Sequence, residues 1–307
     1  IKKAGFETLR IPITWHNHLD EDFTISEGWL DRVQEVVDYG IEWGLHVIIN
    51  IHHDIDQKYY YPSPEYLESS KLYVRRIWEQ LAKRFEDYDE ELIFEAVNEP
   101  RMVGTTNEWW LDFSKQECVD SVQMINELNQ VFVDTVRSSG AKNTSRYLLV
   151  PGYAASPEGV LNEYFIIPED IEENEHRIIL SVHAYRPYSF ALQGPSEKGS
   201  TEDFELKSKQ QVDEILNFMD ELYEKYIAEG VPVLLGEFGA RNKNNNLEDR
   251  VRFSSFYIKS ALERGMAACW WDNYAFIGNG ENFGLLDRRL NLWVYDEIVN
   301  AMMQYFE

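Results

Sequence analysis

The sequence predicts an α/β fold, a closed barrel of parallel strands, and three observations carry that prediction. Short apolar runs alternate with segments of helical periodicity along the chain, as in parallel strands joined by right-handed crossovers. Polar residues gather where those runs end, at Arg10, His52, Asn98, Glu99, His183, Glu237 and Trp271. No Gly-rich phosphate turn follows any run, which removes the main argument for an open nucleotide-binding sheet. The 307 residues, 44% of them hydrophobic, suit one barrel of roughly 250 residues and hence a single domain, 1–307.

Taken in order, 6–13 reads as a strand ended by Pro12, whose missing amide donor interrupts a ladder. Residues 29–43 place Trp29, Leu30, Val33, Val36, Val37 and Ile41 on one helical face, with Gly40 and Gly44 weakening and stopping it. The run 46–53 is apolar almost throughout, the pattern of a strand covered on both faces. A Tyr-rich loop broken by Pro62 and Pro64 leads to a helix over 65–85, and 92–100 is the next strand. A loop with Trp109 and Trp110 precedes a long helix over 113–139, closed by Gly140. Strands follow at 146–150 and 177–183, then a helix over 210–228, a strand over 231–239, a helix over 247–264, a strand over 266–271 and a last helix over 293–306. The count is seven strands.

Bulk properties narrow the partners. A formal charge of −25 and a pI near 4.6 repel polyanions, so nucleic acid and anionic membrane surfaces are not expected partners. No run reaches the ~18 apolar residues of a membrane span, and the N-terminus lacks a signal-peptide pattern. Cys118 and Cys269 are too few for a disulfide framework and lack metal-site spacing, so both are expected to be buried free thiols.

Glu99 and Glu237 each end an apolar strand yet lie far apart in sequence, so only the fold can join them. Two carboxylates across a cleft are what glycosidic-bond cleavage requires: one protonates the leaving oxygen, the other attacks or activates water. Either Glu alone reads as a strand-end ion-pair partner. Arg10 can hold a carboxylate in its ionised form. Of the consecutive pair His52 and His53, strand alternation turns His52 to the axis and His53 toward the helices. His183 and Tyr185 share one side of the chain, and Trp270 and Trp271 face opposite ways, so one of them can form the floor of a sugar site. Trp15, Trp109, Trp110 and Tyr59 to Tyr61 read either as an extended stacking groove or as rim packing. Two rival readings remain: a metal-dependent barrel hydrolase, although the His52-His53-Asp54 cluster lacks the spacing that aims two ligands at one ion, and a non-catalytic glycan-binding barrel, which has no need of both glutamates.

Leu9-Arg10-Ile11-Pro12, Ile51-His52-His53, Val97-Asn98-Glu99-Pro100, His183-Ala184-Tyr185, Gly236-Glu237-Phe238-Gly239 and Trp270-Trp271-Asp272, in this order, resemble glycoside hydrolase family 5. The resemblance is strongest to its bacterial endo-β-1,4-glucanase and xyloglucanase branch. It implies a (β/α)8 TIM barrel, retention of configuration, Glu99 as acid/base and Glu237 as nucleophile. It places Arg10, His52, Asn98, His183, Tyr185 and Trp271 around the cleaved bond, with Asn98 on the sugar 2-hydroxyl and no metal or other cofactor. It implies a β-glucan substrate (cellulose, carboxymethylcellulose, mixed-linkage glucan or xyloglucan) and a secreted or cell-surface location. The family's usual first strand and helix have no counterpart here, so the expected fold is a barrel of strands two to eight lacking its first βα unit, either because the sequence is truncated there or because the barrel is incomplete. Such an open edge invites self-association.

Overall fold

The computed structural model describes residues 1–171, 174, 176–278 and 280–306, which form two compact units: Glu7–Val182, and Ile1–Phe6 with His183–Glu307.

The first unit alternates strand and helix: β1 (Thr8–Ile11), α1 (Glu27–Glu42), β2 (His46–Asn50), α2 (Leu67–Arg84), β3 (Leu92–Glu95), α3 (Gln116–Ser138), β4 (Leu148–Pro151), a short α4 (Pro157–Leu161) and β5 (Ile178–His183), whose last residue opens the second unit. Neighbouring strands pair parallel in chain order, with Leu9 beside Val47, Val47 beside Leu92, Phe94 beside Leu148 and Leu148 beside Ile178. Val47, Ile48 and Ile49 are all buried, as a strand with helices on one side and a filled interior on the other requires. Helix α1 turns Leu30, Val33, Val37 and Gly40 inward. A Cβ on Gly40 would stand 2.5 Å from Val47 Cγ2, so glycine there permits the close approach of helix to sheet. Trp78 of α2 packs against Phe94 and Phe132, and its indole N–H donates to Ala96 O at 2.9 Å, fixing the chain just before Asn98 and Glu99. Arg146 is buried with its guanidinium spent on neutral acceptors: Asn143 Oδ1 and the carbonyls of Phe85, Tyr88, Asp89 and Leu92. Burial brings its pKa down to about 10.

The second unit carries α5 (Tyr188–Ala191), α6 (Lys209–Lys225), β6 (Val233–Phe238), α7 (Leu247–Leu262), β7 (Ala267–Trp270), a small antiparallel pair β8 (Leu286–Asp287) and β9 (Leu292–Trp293), and α8 (Asp296–Met303). β6 and β7 pair parallel through Leu234 beside Ala267 and Phe238 beside Trp270. Phe238 stacks on Tyr257 of α7 with centroids 4.4 Å apart, anchoring the end of β6. Arg241, Asn242 and Lys243, just after β6, bind loops on either side: Arg241 donates to the carbonyls of Leu192 and Gly280, Asn242 to Phe276 O, and Lys243 to Ser189 O, Thr201 O and Ser200 Oγ.

The main-sheet strands number seven among the described residues, and every helix expected from periodicity is present. The short α4, α5 and the β8–β9 pair are additions that are too brief for a periodic signal. Neither Cys118 nor Cys269 is in a disulfide; Cys118 is buried as expected, whereas Cys269 is only half-buried. One further expectation is corrected, and for Trp15, Tyr60 and Tyr61 the choice between groove and packing falls to packing. His53 is exposed rather than packed against helices, because regular strand β2 ends at Asn50 and the alternation lapses with it. Trp15 is fully buried, its indole N–H donating to Asn50 O at 3.0 Å, so it belongs to the core and not to a groove. Tyr60 and Tyr61 are likewise buried, donating to His52 O and Val103 O.

Candidate active site

Glu95 organises the strand-end cluster of the first unit. It ends β3, is 0% exposed, and accepts from Arg10 Nε at 2.7 Å, Asn50 Nδ2 at 2.9 Å and Ser181 Oγ at 2.6 Å. A buried carboxylate is tolerable only when its lone pairs are filled in this way. The carboxylate that Arg10 holds here is Glu95, which the sequence reading did not name, and its second arm donates to Asn98 Oδ1 at 2.7 Å, fixing the amide beside Glu99. Asn50 also lies 3.2 Å from His52 Nδ1, so strand-end residues from β1, β2, β3 and β5 interlock. Beyond the regular ladder, backbone N–H groups of Ala96 and Asn98 still donate to Leu149 O and Ile51 O, which carries the strand direction up to Glu99. Arg101 follows, donating to Glu99 O at 2.9 Å and lying 3.6 Å from Glu99 Oε2.

The second unit carries Glu237 near the end of β6, buried, with the Tyr185 hydroxyl donating to Oε2 at 2.9 Å and His183 Nδ1 3.7 Å from the same oxygen. Ala184, between those two residues, donates its N–H to Glu237 O and accepts from the Tyr257 hydroxyl. Burial pushes the Tyr257 pKa upward, so the phenol remains a donor. Phe283 packs on the Tyr185 ring and accepts the Trp270 indole N–H at 2.9 Å. Trp270 is therefore committed to packing, with its ring edge-on to Phe238. Trp271 donates its backbone N–H to Phe238 O, and its residue is half-buried.

Within the first unit the structure brings together Arg10, His52 and Asn98, and within the second His183, Tyr185 and Glu237. The sequence reading missed Glu95, Asn50, Ser181 and Arg101. The first three carry a signal in strand parity: Asn50 is two residues before His52, Ser181 two before His183, and Glu95 four before Glu99, so each shares a face with a residue that was recognised.

Comparison with known proteins fits this arrangement. Residues 1–276 match the sequence pattern of the family described as Cellulase (glycosyl hydrolase family 5). Endoglucanase B of Ruminococcus albus is 41% identical over 309 residues, covering 100% of this chain and 70% of that protein. A GH5 family lichenase from Caldicellulosiruptor sp. F32 is 58% identical with a TM-score of 0.98, over 100% of this chain and 82% of that one, and a mutant of it is solved in complex with cellotetraose. A GH5-4 broad specificity endoglucanase from Ruminococcus champanellensis, with bound cellotriose, is 40% identical with a TM-score of 0.89, over 98% of this chain and 83% of that one. The protein is thus a glycoside hydrolase of the (β/α)8 barrel class. It belongs to glycoside hydrolase family 5.

Proposed function

We propose that the chain is a retaining, endo-acting β-glucanase in which Glu237 is the nucleophile and Glu99 the acid/base. The observation that carries this reading is the environment of Glu237: a buried carboxylate at a strand end, with one oxygen facing a tyrosine hydroxyl and a histidine ring. A group so held is oriented for attack and does not have to shed a water shell first. In the proposed sequence the Glu237 carboxylate attacks the anomeric carbon while Glu99 gives its proton to the departing glycosidic oxygen. Glu99 then takes a proton from water, and the resulting hydroxide oxygen displaces Glu237 from the glycosyl ester, restoring the original configuration. Asn98, held by Arg10, meets the 2-hydroxyl of the sugar under attack, a contact that strengthens as the transition state forms. His52 and His183 line the same subsite, and Trp271 supplies its stacking floor, Trp270 being already occupied in packing.

For substrate, the 58% identity to a protein described as a lichenase puts mixed-linkage β-glucan first, with β-1,4-glucan and xyloglucan next. Secretion or surface attachment accompanies this reading, because such polymers are too large to be taken up intact.

The test follows reducing ends released from lichenan, carboxymethylcellulose, xyloglucan and mannan by the wild type and by Glu237→Gln, with and without chelator, and records the anomer of the first product by NMR. The reading expects the β-anomer first, no effect of chelator, and loss of turnover in the variant. An initial α-anomer or a fully active variant removes the mechanism, and chelator-sensitive turnover transfers the case to a metal-dependent hydrolase. Glucan binding without hydrolysis by the intact protein leaves only a binding module.

A further inference from the structure

We propose that the Arg250 guanidinium is one half of a buried ion pair whose other half is a small monovalent anion, a halide such as chloride, and that the bound anion braces α7 against the chain that follows Glu237. The site lies wholly within the second unit and stands apart from the glycosidase reading. Arg250, at the start of α7, is 0% exposed. Its Nε donates to Ala240 O at 3.0 Å, and the Tyr295 ring covers one face of the guanidinium, whose carbon lies 4.7 Å from the ring centroid. Nη1 and Nη2 are buried without a hydrogen-bond partner among the described residues, and no carboxylate there pairs with the group. The Tyr295 hydroxyl is already engaged, accepting from Asn242 Nδ2 at 3.0 Å and donating to Phe276 O at 3.3 Å, so it has at most one lone pair left to offer.

The same protein buries another arginine differently. Arg146 spends its guanidinium on Asn143 Oδ1 and the carbonyls of Phe85, Tyr88, Asp89 and Leu92, whereas Arg250 spends only the N–H at Nε. A buried donor without an acceptor and a buried charge without a counter-charge are each costly, and Arg250 faces both. Burial brings its pKa down to about 10, which still leaves a cation at neutral pH. Water can accept from the two nitrogens but supplies no charge; a halide accepts from both at once and neutralises the group. Enclosure sets the size of the ligand. Arg250 and Ala240 are both 0% exposed, which suits a single-atom anion and not a phosphate or a carboxylate-bearing ligand that needs an open mouth. The chain's charge of −25 opposes anions at long range, so affinity has to come from the enclosed guanidinium itself. An anion seated on Nη1 and Nη2 fixes the side chain whose Nε holds Ala240 O, just past the end of β6.

Two measurements test this, and the first needs no variant. Crystals of the wild type grown without halide and soaked in bromide are expected to show an anomalous peak within hydrogen-bonding distance of both Nη1 and Nη2 of Arg250. Water density at those nitrogens with no bromide signal overturns the proposal. In solution, melting temperatures are recorded in chloride and in gluconate, an anion too bulky to enter, at equal ionic strength for the wild type, Arg250→Met and Arg250→Gln. At about ten times the dissociation constant the wild type is expected to melt roughly 3 to 5 °C higher in chloride than in gluconate. Both neutral variants are expected to lose most of that difference, because general effects of the two salts are common to all three proteins. Equal melting of the wild type in the two salts overturns the proposal, as does a chloride gain that survives unchanged in the variants. If neither variant folds, the bromide map decides alone.

Discussion

Replacing Glu95 by Gln keeps the volume of a side chain that is 0% exposed and removes only its charge. In the wild type three donors converge on it, Arg10 Nε and Asn50 Nδ2 on Oε2 and Ser181 Oγ on Oε1. The amide can reproduce most of this pattern, with its oxygen in the Oε2 position and its NH2 toward a rotated Ser181 hydroxyl. What it cannot supply is the counter-charge to Arg10, whose side chain is only 4% exposed. Removing one partner of a buried ion pair costs about 3 to 5 kcal/mol, and that range is an upper bound where the amide still accepts a hydrogen bond. Each kcal/mol shifts the melting temperature of a large domain by roughly 2 to 4 °C, so a drop on the order of 10 °C is expected by calorimetry. Activity should suffer beyond stability, because Arg10 also fixes Asn98. A displacement near 1 Å at a positioning group costs about 100-fold in kcat, against little change in KM. Steady-state kinetics on lichenan, well below the melting temperature of the variant, separate the two effects. A Glu95→Gln enzyme with kcat within threefold of the wild type would refute the relay from Glu95 through Arg10 to Asn98.

Other outcomes follow from the packing. Gly40→Ala, which places a methyl 2.5 Å from Val47 Cγ2, should lose about 1 to 3 kcal/mol in denaturant titration, whereas Gly28→Ala on the same helix meets nothing within 4 Å and should gain about 0.5 to 1 kcal/mol. Arg146→Met strands the carbonyls of Phe85, Tyr88 and Leu92 in the interior and should cost about 3 kcal/mol or more, by the same titration. Lys243 has its pKa brought down to about 8 by burial and the nearby Arg241 charge, from the ordinary 10.5. Between those two values the unfolded chain binds more protons than the folded one, so stability rises with pH across that window, by up to about 1.4 kcal/mol per pH unit from this group. Lys243→Met should flatten that rise relative to the wild type; identical slopes for both would show that the ammonium is not destabilised by folding.

The fold was legible because a parallel barrel writes itself twice into a sequence. Runs such as Val47-Ile48-Ile49 are apolar on both faces, and helices such as Glu27–Glu42 repeat Leu30, Val33 and Val37 on one stripe. Glu99 and Glu237 were legible for the opposite reason, as carboxylates where such runs stop. Glu95 was not, because one polar residue inside Leu92-Ile93-Phe94-Glu95-Ala96-Val97 looks like an irregularity until Arg10, Asn50 and Ser181 are seen around it. Its partners come from three other strands, and no local pattern encodes that convergence. Trp15 and Trp109 show the same limit from the other side: both are tryptophans at loop positions, and only the indole bond to Asn50 O makes the first a core residue. His53 was misplaced because alternation was carried past Asn50, where the ladder gives way to loop.

The central claim is that Glu237 forms a covalent bond with the sugar, and trapping that bond tests it most directly. A 2-deoxy-2-fluoro-β-cellobioside with a dinitrophenyl leaving group needs little help from an acid, and its fluorine slows the second step, so the glycosyl ester accumulates. Mass spectrometry of the intact protein followed by peptide mapping should find one fluorocellobiosyl group, on the peptide containing Glu237. A label on Glu99, or time-dependent inactivation without any label, would contradict the account.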